Sequence, residues 1–281
     1  MNIPTKLRTV LRTKWPLPWQ AWAAILSAAV LVTALLLCRQ TPVTEPQTTT
    51  AATTPPSSLE INPLSPRDFI YQGEYLTCLG TETYLGIDVS VWQEQIDWPQ
   101  VKDAGIRFAM IRLGYRGTKT GELQQDTYAQ ANYQGAKDAG ILTGAYFFSQ
   151  AVSVEEAVEE AEFVLEMIGQ WALDMPIVYD WEHTGSDTRT ANVDRRTLTD
   201  CTIAFCRTVE EAGYEAMVYF NEYQSYNSLY LEELAEYPFW LAQYGRMLDY
   251  EYRVNMWQYT DRGTVPGIKG NVDLNLLFVY E

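Results

Sequence analysis

Residues 176–182 read Pro176-Ile177-Val178-Tyr179-Asp180-Trp181-Glu182, and what such a run can be decides the fold. A short stretch opened by proline and rich in β-branched and aromatic residues suits a strand better than a helix. Side chains alternate across a strand, so Val178, Asp180 and Glu182 share one face while Ile177, Tyr179 and Trp181 share the other. If the aromatic face packs under helices, the two carboxylates project into a barrel or at its C-terminal mouth, where (β/α) enzymes place their reactive groups.

Outward from this run, other strand-like segments fall near 84–90, 106–113, 141–148, 215–220, 238–243, 254–259 and 271–276. Between the earlier ones lie amphipathic stretches, 126–139, 154–168 and 194–212, which is the alternation expected of a parallel sheet or barrel in the α/β class. Eight strands suggest a barrel. The intervals 244–253 and 260–270 are too short and irregular for full helices, so the (β/α) barrel is expected to be irregular in its C-terminal third. The acid-rich run from Glu155 to Glu166 reads as the solvated face of its helix.

Crowded carboxylates resist ionising together, so one can keep a proton near neutral pH while its neighbour stays anionic. Two further strands carry an acid toward the same region: Asp88 in Gly86-Ile87-Asp88-Val89-Ser90, and Asp273 in Gly270-Asn271-Val272-Asp273-Leu274-Asn275. Tyr115, Tyr146, Tyr219, Trp240, Tyr244, Trp257 and Tyr259 stand at or near strand ends, where aromatic faces suit the apolar faces of sugar rings. An acid-lined, aromatic-walled cleft meets the needs of glycoside hydrolysis, in which a leaving oxygen is protonated and a cationic transition state is stabilised. His183 falls on the face opposite Glu182 if the strand continues, and no GxSxG elbow accompanies it, which disfavours a serine triad.

The rest of the chain bounds the setting. With one histidine and no CxxC pair, no metal site built on His or Cys is expected, and no cofactor motif is present. Cys201 and Cys206 read as core thiols, whereas the pairing of Cys78 is left open. Residues 1–18 form a short basic tail, and 19–38 an apolar span about long enough to cross a bilayer core of about 30 Å. The preceding basic residues orient that span with the remainder outside, which implies a single-pass cell-membrane protein; a cleaved signal peptide is the alternative, and it too leaves the domain outside. Residues 39–83 are a Thr/Pro/Ser-rich linker and lead-in, and 84–281 the functional domain. Residues 40–281 carry a formal charge of −21, which disfavours nucleic acid as a partner.

Several blocks together make a specific likeness. Asp88-Val89-Ser90-x-Trp92-Gln93 with Ile96-Asp97-Trp98, then Phe108–Arg112, Gly144-Ala145-Tyr146, Asp180-x-Glu182, Leu241-Ala242-Gln243-Tyr244, Trp257-Gln258-Tyr259-Thr260 and Gly270–Asn275 occur in this order. Over residues 84–281 the chain resembles glycoside hydrolase family 25, the lysozyme-type muramidases. The resemblance implies a flattened, irregular β/α barrel that hydrolyses the β-1,4 bond between N-acetylmuramic acid and N-acetylglucosamine in peptidoglycan glycan strands. By that resemblance Glu182 is the general acid and Asp180 its partner, with Asp88 and Asp273 as further active-site acids. Tyr146, Gln243 and Gln258 fall in these blocks and, with Tyr219 and Trp240 from the strand-end aromatics, are the expected sugar contacts; no cofactor is implied. Phe147 departs from the pattern, since many members of the family have histidine after the tyrosine. A wall-binding module without catalysis and a glycosidase of other specificity, such as a chitinase, remain the alternatives.

Overall fold

A computed structural model describes residues 58–169 and 171–280. The span placed at 19–38, the basic tail and most of the Thr/Pro-rich linker lie outside the described residues. Within the described residues, no helix is long and apolar enough to cross a membrane.

The chain runs β1 (Phe69–Gln72), β2 (Tyr75–Cys78), β3 (Glu82–Val89), α1 (Trp98–Asp103), β4 (Phe108–Arg116), β5 (Leu123–Gln125), α2 (Ala129–Asp138), β6 (Leu142–Ser149) and α3 (Val154–Ile168). It continues through β7 (Ile177–Trp181), α4 (Arg195–Glu211), β8 (Ala216–Asn221), α5 (Glu222–Asn227), β9 (Phe239–Ala242), β10 (Met256–Gly263) and β11 (Val272–Val279). Among the described residues, eight of these strands close a mixed barrel in the order β3-β11-β10-β9-β8-β7-β6-β4, with β4 returning to β3. The pairs from β3 through β4, β6, β7, β8 and β9 to β10 are parallel, and β11 is antiparallel to both β10 and β3.

All eight expected strands are present, and the expected irregularity has a definite form. The interval 260–270 is a hairpin connection rather than a crossover helix, which is why its partner strand β11 runs antiparallel. β5 is an extra strand on β4, joined antiparallel beyond the stretch that β3 occupies.

The alternation read from β7 holds. Ile177, Tyr179 and Trp181 join the apolar layer beneath the helices, where the Tyr179 ring meets Phe205 of α4 at 4.8 Å. Every residue of β7 is buried, as a barrel strand with both faces covered requires. Inside the barrel, packing is close enough to demand glycine: a Cβ added at Gly86 would lie 2.3 Å from the Phe108 ring.

The helices begin where sequence chemistry supplies caps. Ser153 and Asp194 accept hydrogen bonds from the backbone N–H groups of Glu156 and Thr197 at the starts of α3 and α4. On α3, Glu155, Glu159, Glu162 and Glu166 face solvent as expected, but Glu160 does not. It is fully buried against Arg116, whose Nε donates to Glu160 Oε1 at 2.7 Å. That pairing holds a position on the α3 stripe otherwise taken by Ala157, Ala161 and Val164.

The lead-in before Tyr84 is folded onto the barrel. Ile61 bridges to Tyr252, Asn62 Nδ2 donates to the Tyr250 carbonyl at 2.9 Å, and β1 pairs with β2. Phe69 of that hairpin packs edge-on against Trp257 at 5.1 Å. Cys78, Cys201 and Cys206 are buried free thiols.

Candidate active site

β7 makes its last ladder pairing at Trp181, opposite Ser149 of β6, so Glu182 extends one residue past the pairing at the open end of the barrel. There a cleft of about 280 Å³ gathers Asp88, Asp180, Glu182 and Asp273, the four carboxylates singled out by sequence. Tyr146, Tyr219, Trp240 and Gln258 line it. Arg112, Trp92, Tyr244 and Asp261 also line it, with Ser90, Gln93 and Phe148.

Asp88 sits at the centre of a hydrogen-bonded network. Its Oδ2 accepts from Gln258 Nε2 and Asn275 Nδ2, each at 2.8 Å. Asn275 Oδ1 in turn accepts from Trp240 Nε1 at 2.8 Å, and Gln258 Oε1 accepts from the hydroxyls of Tyr219, at 3.1 Å, and Tyr244. Each amide is thereby oriented with its N–H groups toward the carboxylate. The polar atoms of Tyr219, Trp240 and Gln258 are thus engaged in holding Asp88, directly or through a neighbour, and the rings of Tyr219 and Trp240 line the cleft.

Burial raises the pKa of every one of the four acids, and for Asp180, Glu182 and Asp273 the charge of neighbouring carboxylates adds to it. Asp273 is pushed up to about 9 by burial first and then by the charge of Asp88 beside it. Burial also raises Asp88, against the opposing donors Asn275, Gln258 and Asp273. Asp88, with amide donors on its oxygen, is the anion of that pair, and Asp273 carries the proton. Asp180 is pushed well above the carboxylate range by burial and by the charges of Glu182 and Asp88, with Arg112 opposing. Glu182 is raised by burial and by Asp88. The Asp180–Glu182 pair can therefore keep one proton at neutral pH.

Two features of Asp180 set up chemistry. Its Oδ1 is buried without a hydrogen-bond partner, while the residue lines the cleft. The nearby cation, Arg112, is fixed by Asp126, with Nε and Nη2 each 2.9 Å from Asp126 Oδ2. Asp126 also accepts from the N–H groups of Val91 and Tyr128, tying the loop after β3 to the guanidinium.

Some expected residues lie elsewhere. Gln243 does not line the cleft: its Nε2 donates to Glu222 at 3.3 Å and its Oε1 accepts from the Asp249 N–H at 3.2 Å, so it braces the loop after β9. Trp257 and Tyr259 point to the outer apolar layer, as does Phe147, which meets Phe163 at 6.0 Å. His183 is exposed and accepts from the Gly185 N–H at 3.3 Å, outside the cleft lining. Arg112, Asn275 and Trp92 were not identified as site residues from sequence, although each falls in a motif block, and Asn275 shares its strand face with Asp273 by alternation. Among the described residues, no group of His, Cys, Asp and Glu is arranged to hold a metal ion.

Comparison with known proteins agrees with this architecture. The profile of glycosyl hydrolases family 25 matches residues 87–268. The uncharacterized protein YegX of Escherichia coli K12 is 33% identical over 205 residues, covering 69% of each chain. Lysozyme M1 of Streptomyces globisporus is 31% identical over 204 residues, covering 68% of this chain and 66% of its own. Among solved structures, the modular autolysin LytC from Streptococcus pneumoniae, determined with a synthetic peptidoglycan ligand, superposes with a TM-score of 0.62 at 27% identity. That match covers 70% of this chain and only 47% of LytC. The bacterial lysozyme from Streptomyces coelicolor gives a TM-score of 0.56 at 29% identity over 69% of this chain and 92% of its own. The matched residues 87–268 include Asp88, Asp180 and Glu182, and the chain belongs to glycosyl hydrolase family 25.

Proposed function

We propose that this chain is an N-acetylmuramidase, a lysozyme that hydrolyses the β-1,4 bond between N-acetylmuramic acid and N-acetylglucosamine in peptidoglycan glycan strands. The observation that carries the reading is the placement of Asp180 and Glu182 on one face of one strand end, inside a cleft walled by aromatic rings. Lysozyme M1 and LytC support the substrate assignment by their names and, for LytC, by its peptidoglycan ligand.

In the free site the stronger upward push falls on Asp180, so the shared proton rests mainly there. The unpartnered Asp180 Oδ1 is suited to accept the N–H of a substrate acetamido group. That hydrogen bond favours the Asp180 anion, as Arg112 already does, and leaves the proton on Glu182. Glu182 then protonates the glycosidic oxygen as the bond to C1 breaks, and the carboxylates stabilise positive charge on the sugar ring. Water adds to C1 and returns a proton to the site. Asp88 and Asp273 add negative potential while holding only one charge between them.

The domain is placed outside the cell membrane, held by the N-terminal apolar span, where its polymer is found. A protease added to intact cells removes the domain under this assignment; protection until lysis contradicts it. For activity, the test is analysis of purified peptidoglycan digested with the full-length chain and with Glu182→Gln. New reducing-end muramic acid from the wild type, reduced by about 10²–10⁴ in the variant, is expected. Wall binding without new reducing ends from either protein would favour a binding module instead.

A further inference from the structure

Glu182 stands beyond the last pairing of its strand, so the β ladder does not fix it. The carbonyls of Trp181 and Glu182 are nevertheless both held, each by a buried glutamine from a neighbouring element. Gln224 of α5 donates Nε2 to the Trp181 carbonyl at 2.8 Å. Gln150, directly after β6, donates Nε2 to the Glu182 carbonyl at 2.7 Å and to the Ser149 carbonyl at 2.8 Å.

Neither amide is free to turn. Gln150 Oε1 accepts from the hydroxyls of Thr184, at 2.8 Å, and Thr190, at 3.4 Å, so its two donors are left for the carbonyls. Gln224 Oε1 accepts from the Asn221 N–H at 3.2 Å within the cap of α5, and its own N–H donates to Asn221 Oδ1 at 3.0 Å. Gln150 is fully buried and Gln224 nearly so, and neither lines the cleft. Two carbonyls that would otherwise point to the flanking strands of a continued ladder meet side-chain amides in their place.

We infer that Gln150 and Gln224 are positioning residues for Glu182, a side-chain clamp that extends the sheet by one residue and fixes the aim of the acid. The kinetic part of this inference rests on the muramidase reading; the structural part does not. Misplacing a reacting group by about 1 Å can cost about 10²-fold in rate. A clamp of this kind therefore acts on kcat and leaves substrate binding, which is spread over the aromatic walls, largely intact.

The test uses the full-length chain as wild type, Gln150→Glu, Gln224→Glu and Gln150→Leu. In Gln150→Glu an ionised carboxylate faces two carbonyl oxygens, while the protonated form restores one donor. Its kcat on soluble peptidoglycan fragments is expected to fall about 10–100-fold near pH 8, with KM changed by less than about 3-fold. The deficit relative to wild type shrinks as pH is lowered and the new carboxyl regains its proton. Gln224→Glu follows the same pattern. Amide hydrogen exchange supplies the second readout: in Gln150→Leu, residues 182–184 exchange faster while the β-strand core stays protected.

A deficit equal at every pH and matched by general loss of protection would overturn the clamp and leave the glutamines as ordinary core residues. Unchanged kcat in both glutamate variants would overturn it as well. If the wild type releases no reducing ends, the muramidase reading fails, and exchange decides alone: unaltered rates at 182–184 in Gln150→Leu remove the clamp, and selectively faster rates retain it.

Discussion

Asp88 and Asp273 are direct partners across the antiparallel pairing of β3 with β11. Two anions so placed would repel, and the pair avoids this by keeping a proton on Asp273, whose pKa is pushed up to about 9 by burial and by Asp88. An unfolded Asp273 ionises near 3.8. Between these values the folded state binds more protons than the unfolded one, so stability contributed by this proton is complete at low pH and declines as pH rises toward 9. Glu160 and Glu215, each raised to about 7 chiefly by burial, add to the same trend. The wild-type Tm is therefore expected to fall between about pH 5 and pH 8. Asp273→Asn keeps an N–H donor toward Asp88 without a titrating proton, so its Tm should fall less over that interval. Parallel slopes in calorimetry would show that the shared proton is not on this pair.

Asn275 couples the same acid to the aromatic wall, donating to Asp88 and accepting from Trp240 with no exposure to solvent. Asn275→Leu leaves a buried carboxylate short of one donor and an indole N–H without an acceptor. Each orphaned group costs about 1–3 kcal/mol. Urea denaturation should show a loss of that order or more, whereas a change near zero would mean that water replaces the amide.

How far the site was legible follows from which rules were local. Strand alternation alone placed Asp180 and Glu182 on one face, because a two-residue period survives any tertiary arrangement. Motif spacing brought Asp88 and Asp273 to the same end of the barrel. Gln243, expected from its family block, follows the last residue of β9, where Glu222 and the Asp249 N–H engage its amide away from the cleft lining. Glu160 eluded the helical pattern because its partner, Arg116, is distant in sequence. The folded lead-in was hidden for the same reason: Asn62 is tied to Tyr250, 188 positions away. The antiparallel β11 follows from a hairpin connection that composition does not announce.

Trp92 is 78% exposed yet lines the cleft, on a short helical turn whose start is fixed by the Val91 N–H to Asp126 and by Ser90 with Gln93. A large aromatic face presented at the rim of the cleft by a fixed turn is suited to stack on a pyranose ring under the proposed function. Trp92→Ala should leave Tm unchanged, since the side chain buries little, and raise KM about 2–10-fold, the equivalent of about 0.5–1.5 kcal/mol of ring contact. Steady-state kinetics on peptidoglycan fragments measures this, and an unchanged KM would remove Trp92 from the binding surface.

Arg112 has two separable duties, one toward Asp126 and one toward Asp180. Its ion pair with the fully buried Asp126 side chain means that Arg112→Leu strands a carboxylate that retains only the Val91 and Tyr128 N–H donors. Breaking a buried pair from one side costs about 3–5 kcal/mol. The same substitution removes the cation that opposes the upward shift of Asp180, so the proton on the Asp180–Glu182 pair should be held to higher pH. The alkaline limb of kcat/KM is then expected to move upward, because the free enzyme loses its acid only at that higher value. The double variant Arg112→Leu/Asp126→Leu separates the two duties, since replacing both partners removes the stranded charge. Stability should return in part in denaturation experiments, the Val91 and Tyr128 N–H groups having lost their acceptor, while the displaced pH limb remains. If the limb returns together with stability, the guanidinium acts on the fold alone and not on the proton of the pair.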